Sequence, residues 1–238
     1  MGAFLYSQAV LADSPRGFYK MDELSGLPQD SSGNGNHMTD NPGPGGQDQT
    51  YRLTGPWSGS FGIRQGGGRY FSRNVISTQT NNFTLETWFR FEAAGGADIV
   101  ICNGSRTSDG WCIDYDSATG HLRMLYGGVA FQANSAEFAD ADEWNHVVMT
   151  RDAGTTKYYW NGALDTANAG TDTPNTPSTR WQIGSDAQLQ GTWSNVALYN
   201  TALSLARVSA HYDAAFAVDP ATGEPERSRM GWPMMVRG

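Results

Sequence analysis

Charge is scarce in this chain, and basic charge is the scarcest. Asp, Glu, Lys and Arg make up only 17% of its 238 residues, against roughly 25% in an ordinary soluble domain, and the balance is a formal net charge of −8. Recognition of a phosphate backbone needs clustered Lys and Arg. No such cluster occurs, which argues against nucleic acid and anionic membrane surfaces as partners. No apolar run approaches the roughly 20 residues of a membrane span. The N-terminus, MGAFLYSQAVLADSPRG, lacks a basic segment, a long apolar stretch and a cleavage site, so it does not read as a secretory leader. Tyr6 stands where myristoylation needs Ser or Thr. Cysteine is limited to Cys102 and Cys112, with no His pair nearby, which argues against zinc. The nucleophile-elbow pattern Gly-x-Ser-x-Gly is absent too.

What the chain has in quantity is glycine and aromatic residues: 29 Gly, 8 Trp, 10 Tyr and 10 Phe. That mixture fits a turn-rich β protein with an aromatic core. Period-2 alternation, the strand signal, recurs from GFYKMDE (17–23) to GTWSNVALYN (191–200). In FTLETWFRFE (83–92), Phe83, Leu85, Phe89 and Phe91 share one face, and Thr84, Glu86 and Arg90 the other. Trp88 joins the second face, so this strand has neighbours on both sides. Asn161-Gly162 is a type I′ hairpin signature. Cys102 and Cys112 flank NGSRTSDGW, a hairpin loop that sets them on facing strands as either a disulfide or two reduced thiols. No helix is expected before residue 200. Ser204 is a good N-cap for LARVSAHYDAAF, with Leu205, Val208 and Tyr212 on one stripe. These signals predict an all-β, antiparallel two-sheet sandwich over 1–217, with one short C-terminal helix. Residues 218–238, rich in Pro and Gly and without periodicity, read as an extended tail.

Four stretches in order carry a family resemblance: FYKMDELSGLPQDSSGNGNHMT, FTLETWFRF, EWNHVVMTRDAGTTKYYWNGALDT and IGSDAQLQGTWSNVALYNTALS. With them the chain resembles the laminin-G-like jelly rolls of the concanavalin A-like lectin and glucanase superfamily over roughly residues 10 to 216. The resemblance implies a jelly-roll topology, which periodicity does not supply. It also implies a fold that commonly binds sugars and often carries calcium.

The candidate sites divide by chemistry. Asp30-Ser31-Ser32-Gly33-Asn34-Gly35 opens like a calcium loop, but position twelve holds Asn41 where an EF-hand needs Glu. Gly33-x-Gly35 lacks the third glycine and the lysine of phosphate loops. Two readings stay open: a strand-connecting turn, or a structural Ca²⁺ held by Asp30, Asn34 and Asn36. In family members this loop lies near an Asp in the closing strand, where this chain has Ser194-Asn195. His146 reads as a packed strand histidine, and His37, His121 and His211 lie in unrelated segments. Related glucanases set their carboxylates at alternate positions of one strand. In EFADADEW (137–144), Asp140 and Asp142 share a face but Glu137 and Glu143 fall out of phase, and Glu86 stands without a partner. No catalytic residues are expected, so the protein is read as not an enzyme. Trp57, Trp111, Trp181 and Trp193 are candidate sugar platforms, although most Trp in a sandwich belong to the core. In the tail, Met230, Trp232, Met234 and Met235 suit docking on another protein.

The reading that unites these points is a non-catalytic binding or adhesion module on a virion surface. It would be a bacteriophage capsid decoration or minor tail protein that docks on other virion proteins through the tail and takes a cell-surface glycan. The alternative is a secreted, extracellular bacterial carbohydrate-binding module from a larger protein.

Overall fold

A computed structural model of the chain describes residues 2–40, 49–138, 142–168, 172–184 and 187–217. The docking residues expected in the tail, Met230, Trp232, Met234 and Met235, lie outside the described residues, as does Asp140. In chain order the elements are α1 (Gly2–Ala12), β1 (Gly17–Tyr19), β2 (Thr50–Thr54), β3 (Phe61–Gln65), β4 (Tyr70–Arg73), β5 (Asn82–Ala93) and β6 (Asp98–Ser105). Then come β7 (Asp109–Tyr115), β8 (His121–Tyr126), β9 (Ala130–Phe138), β10 (Trp144–Asp152), β11 (Thr155–Trp160) and β12 (Ala163–Asn168). β13 (Trp181–Gly184), β14 (Gln190–Tyr199) and α2 (Leu205–Ala215) close the chain.

The strands form two antiparallel sheets. The eight-stranded sheet runs β12-β11-β10-β5-β14-β3-β2 with β1 paired to β14, and the six-stranded sheet runs β4-β13-β6-β7-β8-β9. Their facing sides enclose the main core. Phe83, Leu85, Phe89, Val147, Met149 and Trp193 enter it from the larger sheet, and Phe71, Val100, Trp111, Ile113, Met124 and Trp181 from the smaller. Phe83 stacks on Trp111 across the gap, with ring centroids 4.0 Å apart. The inward set on β5 is the set that alternation assigned, because successive strand side chains point to opposite faces.

Thr84, Glu86 and Trp88 of the outward set on β5 are buried as well, and the cause lies in two helices. Tyr6 and Val10 of α1 and Val208 and Ala215 of α2 pack with Trp88, Val148, Tyr159 and Tyr199 in a second core on the outer face of the larger sheet. α1 corrects the expectation of no helix before residue 200. Its sequence, GAFLYSQAVLA, is apolar all round and shows no stripe at period 3.6. Docking of Tyr6 and Val10, one turn apart, holds the helix where local pattern gave no signal. α2 begins as expected, with the Ser204 side chain accepting from the Arg207 N–H. Its buried stripe is Val208, His211 and Ala215, whereas Leu205 is exposed.

Two local details follow from chain chemistry. Asn161 and Gly162 have φ of 50° and 80°, the left-handed pair that a type I′ hairpin requires, between paired Trp160 and Ala163. Cys102 and Cys112 stand directly opposite each other on β6 and β7 and form a disulfide, which decides between the two readings of that pair. Along the side where β9 approaches β12, the Asp165 carboxylate accepts from the N–H groups of Ala136 at 2.7 Å and Glu137 at 3.2 Å.

Candidate functional site

A dense cluster of ionisable side chains lies under the helices. Glu86 is wholly buried. Its Oε1 accepts from the Tyr6 hydroxyl at 2.7 Å and from His146 Nε2 at 2.9 Å. Its Oε2 accepts from the Tyr199 hydroxyl at 2.8 Å, and His211 Nδ1 lies 3.1 Å from both oxygens. On its other side, His211 Nε2 donates to Ala9 O at 3.0 Å and Asp13 Oδ2 at 2.8 Å. With acceptors at both ring nitrogens, His211 is the imidazolium form. Burial opposes that charge, but Glu86 and Asp13 hold its pKa above the ordinary value. Burial also pushes the Glu86 carboxyl up, and the positive His211 with the hydrogen bond from His146 overrides it, holding the group well below the usual range. Burial, then the Glu86 charge, raises both Tyr6 and Tyr199.

This arrangement corrects the sequence reading in two ways. Glu86 has partners, and His211 belongs to the same cluster as His146. A glycosidase pair must flank a substrate bond in a cleft, about 5–9.5 Å apart. Here the nearest partner carboxylate, Asp13, sits across the His211 ring, and two helices lie over both. The cluster fastens α1 and α2 to the sheet, with Arg207 adding an ion pair to Asp13 at 2.8 Å. His146 is packed within its strand, as expected, beside Trp88.

The loop after β1 brings Asp30, Asn34 and Asn36 together as a turn. Asp30 Oδ1 accepts from the N–H groups of Phe18 (3.0 Å) and Ser32 (2.8 Å). Its Oδ2 accepts from Ser32 Oγ (2.9 Å) and the Asn36 N–H (2.8 Å). Asn34 Nδ2 donates to Pro15 O at 3.0 Å, and Asn36 Nδ2 to Arg16 O at 2.7 Å. Burial raises the Asp30 pKa, but these donors more than offset it and hold the group below its ordinary value. Calcium asks for six to eight oxygen ligands. A carboxylate ringed by N–H and O–H donors, with both asparagine amides turned towards carbonyls, does not fit that ion.

Trp57, Trp111, Trp181 and Trp193 are at most 1% exposed, so none of them is a sugar platform. Trp144 and Trp160 are the partly buried indoles of the described chain. Trp160 Nε1 donates to Asn145 Oδ1 at 3.0 Å. Trp144 stands where the helical cover of the larger sheet ends, in a row fixed by register: Thr50, Arg64, Thr192, Arg90 and Trp144, each paired to the next. Gly62 makes room for it. A Cβ there would lie 3.0 Å from Trp144 Cη2 and 2.8 Å from Thr192 Cγ2, so the indole reaches across the sheet to β3. Beside it, Arg64 Nε donates to Glu92 Oε2 at 2.6 Å and Arg64 Nη2 to Gln190 Oε1 at 3.2 Å. Thr192 Oγ1 donates to Glu92 Oε1 at 3.1 Å. The Arg90 guanidinium lies 5.6 Å from the Trp144 ring centroid. Gln190 also lines a shallow pocket of about 400 Å³ with Gly67, Ala93, Gly95, Ala187 and Gln188. No motif marked this strip. Its members come from β2, β3, β5, β10 and β14, and only the pairing register joins them.

Comparison with known proteins places the fold. A family profile described as the concanavalin A-like lectin/glucanases superfamily, Laminin_G_3, matches residues 65–209. No curated protein sequence matches significantly. Among solved structures, the Botulinum neurotoxin serotype D binding domain aligns with a TM-score of 0.65 at 14% identity, covering 87% of this chain and 53% of that one. The same toxin's ligand binding domain in complex with N-acetylneuraminic acid gives 0.63 at 14%, covering 87% and 52%. A Trypanosoma rangeli sialidase gives 0.60 at 16%, covering 82% and 32%. The chain thus spans about half the length of the toxin structures, and at these identities the likeness is one of fold.

Proposed function

The chain belongs to the Laminin_G_3 family of the concanavalin A-like lectin/glucanase superfamily, and on that premise we propose that it is a non-catalytic glycan-binding module on a virion surface, as a bacteriophage capsid decoration or minor tail protein. One observation carries the binding reading over a catalytic one. The side chains that could perform acid–base chemistry together, Glu86, His146 and His211, are fully buried, while a partly exposed indole stands among polar and charged groups. Neighbours in fold that are toxin binding domains, one of them complexed with a sugar acid, support the same direction. The Cys102–Cys112 disulfide suits work outside a reducing cytoplasm, which serves the virion reading and equally a secreted carbohydrate-binding module of a larger bacterial protein.

A glycan panel tests the binding reading: the protein binds at least one saccharide and releases no reducing ends from it. Hydrolysis that persists in purified protein and disappears in Glu86→Gln would overturn the non-catalytic assignment. For the virion role, removing residues 219–238 should abolish incorporation into particles and leave the melting temperature of the sandwich unchanged. Normal incorporation of the truncated chain would refute docking through the tail.

A further inference from the structure

We propose that the Trp144 strip is the glycan site and that its ligand is a saccharide bearing a carboxylate, a uronic or sialic acid; this rests on the glycan-binding reading above. Sugar rings stack on aromatic faces that lie open beside polar groups. Trp144 meets that need: it lies across the sheet over Gly62, is only partly buried, and its indole N–H makes no hydrogen bond within the described chain.

The charges beside it select the ligand. In a chain of net charge −8, the strip sets two guanidiniums, Arg64 and Arg90, around the single carboxylate of Glu92. Arg64 and Arg90 side chains are 27% and 26% exposed, enough to reach a ligand. Arg90 is held loosely, with its guanidinium over the Trp144 ring at 5.6 Å from the centroid. It meets Thr192 Oγ1 only at 3.4 Å and Glu92 Oε1 at 3.6 Å, and its Nε is buried without a partner. Glu143, next to Trp144, is exposed and forms no ion pair with either arginine within the described chain. Within the strip the two guanidiniums outnumber the Glu92 carboxylate by one, in the fork geometry that recognises a planar carboxylate, and the exposed Asp142 and Glu143 border it beside Trp144. A pyranose ring over Trp144 would turn its carboxylate towards Arg90 and Arg64, with Gln190 as a hydroxyl partner.

The test uses the full chain in isothermal titration with three probes: sialyllactose, a glucuronate oligosaccharide, and lactose as the neutral control. One acidic probe should bind roughly tenfold or more tightly than lactose, as a charge-assisted contact implies, and which of the two it is identifies the acid. Arg64→Gln with Arg90→Gln should bring that affinity down to the level of lactose at an unchanged melting temperature. Trp144→Ala should weaken it at least as far. Trp144→Phe, which keeps a stacking face if the alanine variant folds poorly, should bind with intermediate affinity. Binding of acidic and neutral probes alike, or acidic binding indifferent to all these variants, overturns the inference and leaves the glycan module standing. Failure to bind any saccharide on a broad panel overturns both.

Discussion

Replacing Glu86 with Gln keeps the side-chain shape and removes the charge on which the helical layer depends. The carboxylate receives two phenolic hydroxyls and two imidazoles. An amide keeps one oxygen and turns an N–H₂ group towards donors that then have no acceptor. His211 at the same time loses its buried counter-charge and keeps only Asp13, which is partly exposed. Removing one partner of a buried pair costs about 3–5 kcal/mol, and two orphaned donors at about 1–3 kcal/mol each are of the same order. Glu86→Gln should therefore lower the unfolding free energy by about 3–5 kcal/mol. Guanidinium denaturation near pH 6, followed by far-ultraviolet circular dichroism and by indole fluorescence, measures it. Asp13→Asn alone should cost less, and the double variant less than the sum, because the two acids share His211. A loss below about 1 kcal/mol, the worth of an exposed ion pair, would refute a buried ionised network.

Three further outcomes follow from the same contacts. His211 has a raised pKa in the folded chain, so its contribution is complete below the unfolded value of about 6.5 and fades as pH rises through the folded value. Glu86 has a lowered one, so its contribution is complete above about 4.3 and fades as pH falls through the folded value. Melting temperatures across pH should thus show a maximum between these limits that is flattened in Glu86→Gln; parallel curves would contradict the linkage. Substituting both Cys102 and Cys112 with Ala should cost about 3 kcal/mol by releasing a short loop in the unfolded chain, and an unchanged melting point in reductant would mean that the thiols are not paired. A chelator should leave the melting temperature unchanged, while Asp30→Ala should cost about 1–3 kcal/mol by orphaning the N–H groups of Phe18, Ser32 and Asn36. A drop of several degrees on chelation would restore calcium to that loop.

The strands were legible because alternation reports burial directly: Phe83, Leu85 and Phe89 had to share a face. Asn161-Gly162 and the facing cysteines were equally readable, since local geometry admits few alternatives. The helical layer was not. Whether an outward residue such as Glu86 meets water or a helix depends on Tyr6 and His211, which lie 80 and 125 residues away in sequence, and no strand pattern encodes that. Tryptophan misleads for a related reason. Trp57, Trp111, Trp181 and Trp193 look the same in sequence as Trp144, yet Trp57 packs in the cluster under the helices and the other three between the sheets, while Trp144 is only partly buried. The arginines beside Trp144 come from strands joined by register, so no spacing along the chain reveals them.

The carboxylate of Asp165 bears on edge-to-edge pairing of the sheets. By engaging the Ala136 and Glu137 amides, it occupies two of the donors an incoming strand would need to extend the sandwich on that side. An added strand therefore finds that flank of the six-stranded sheet less open to pairing than a bare edge would be.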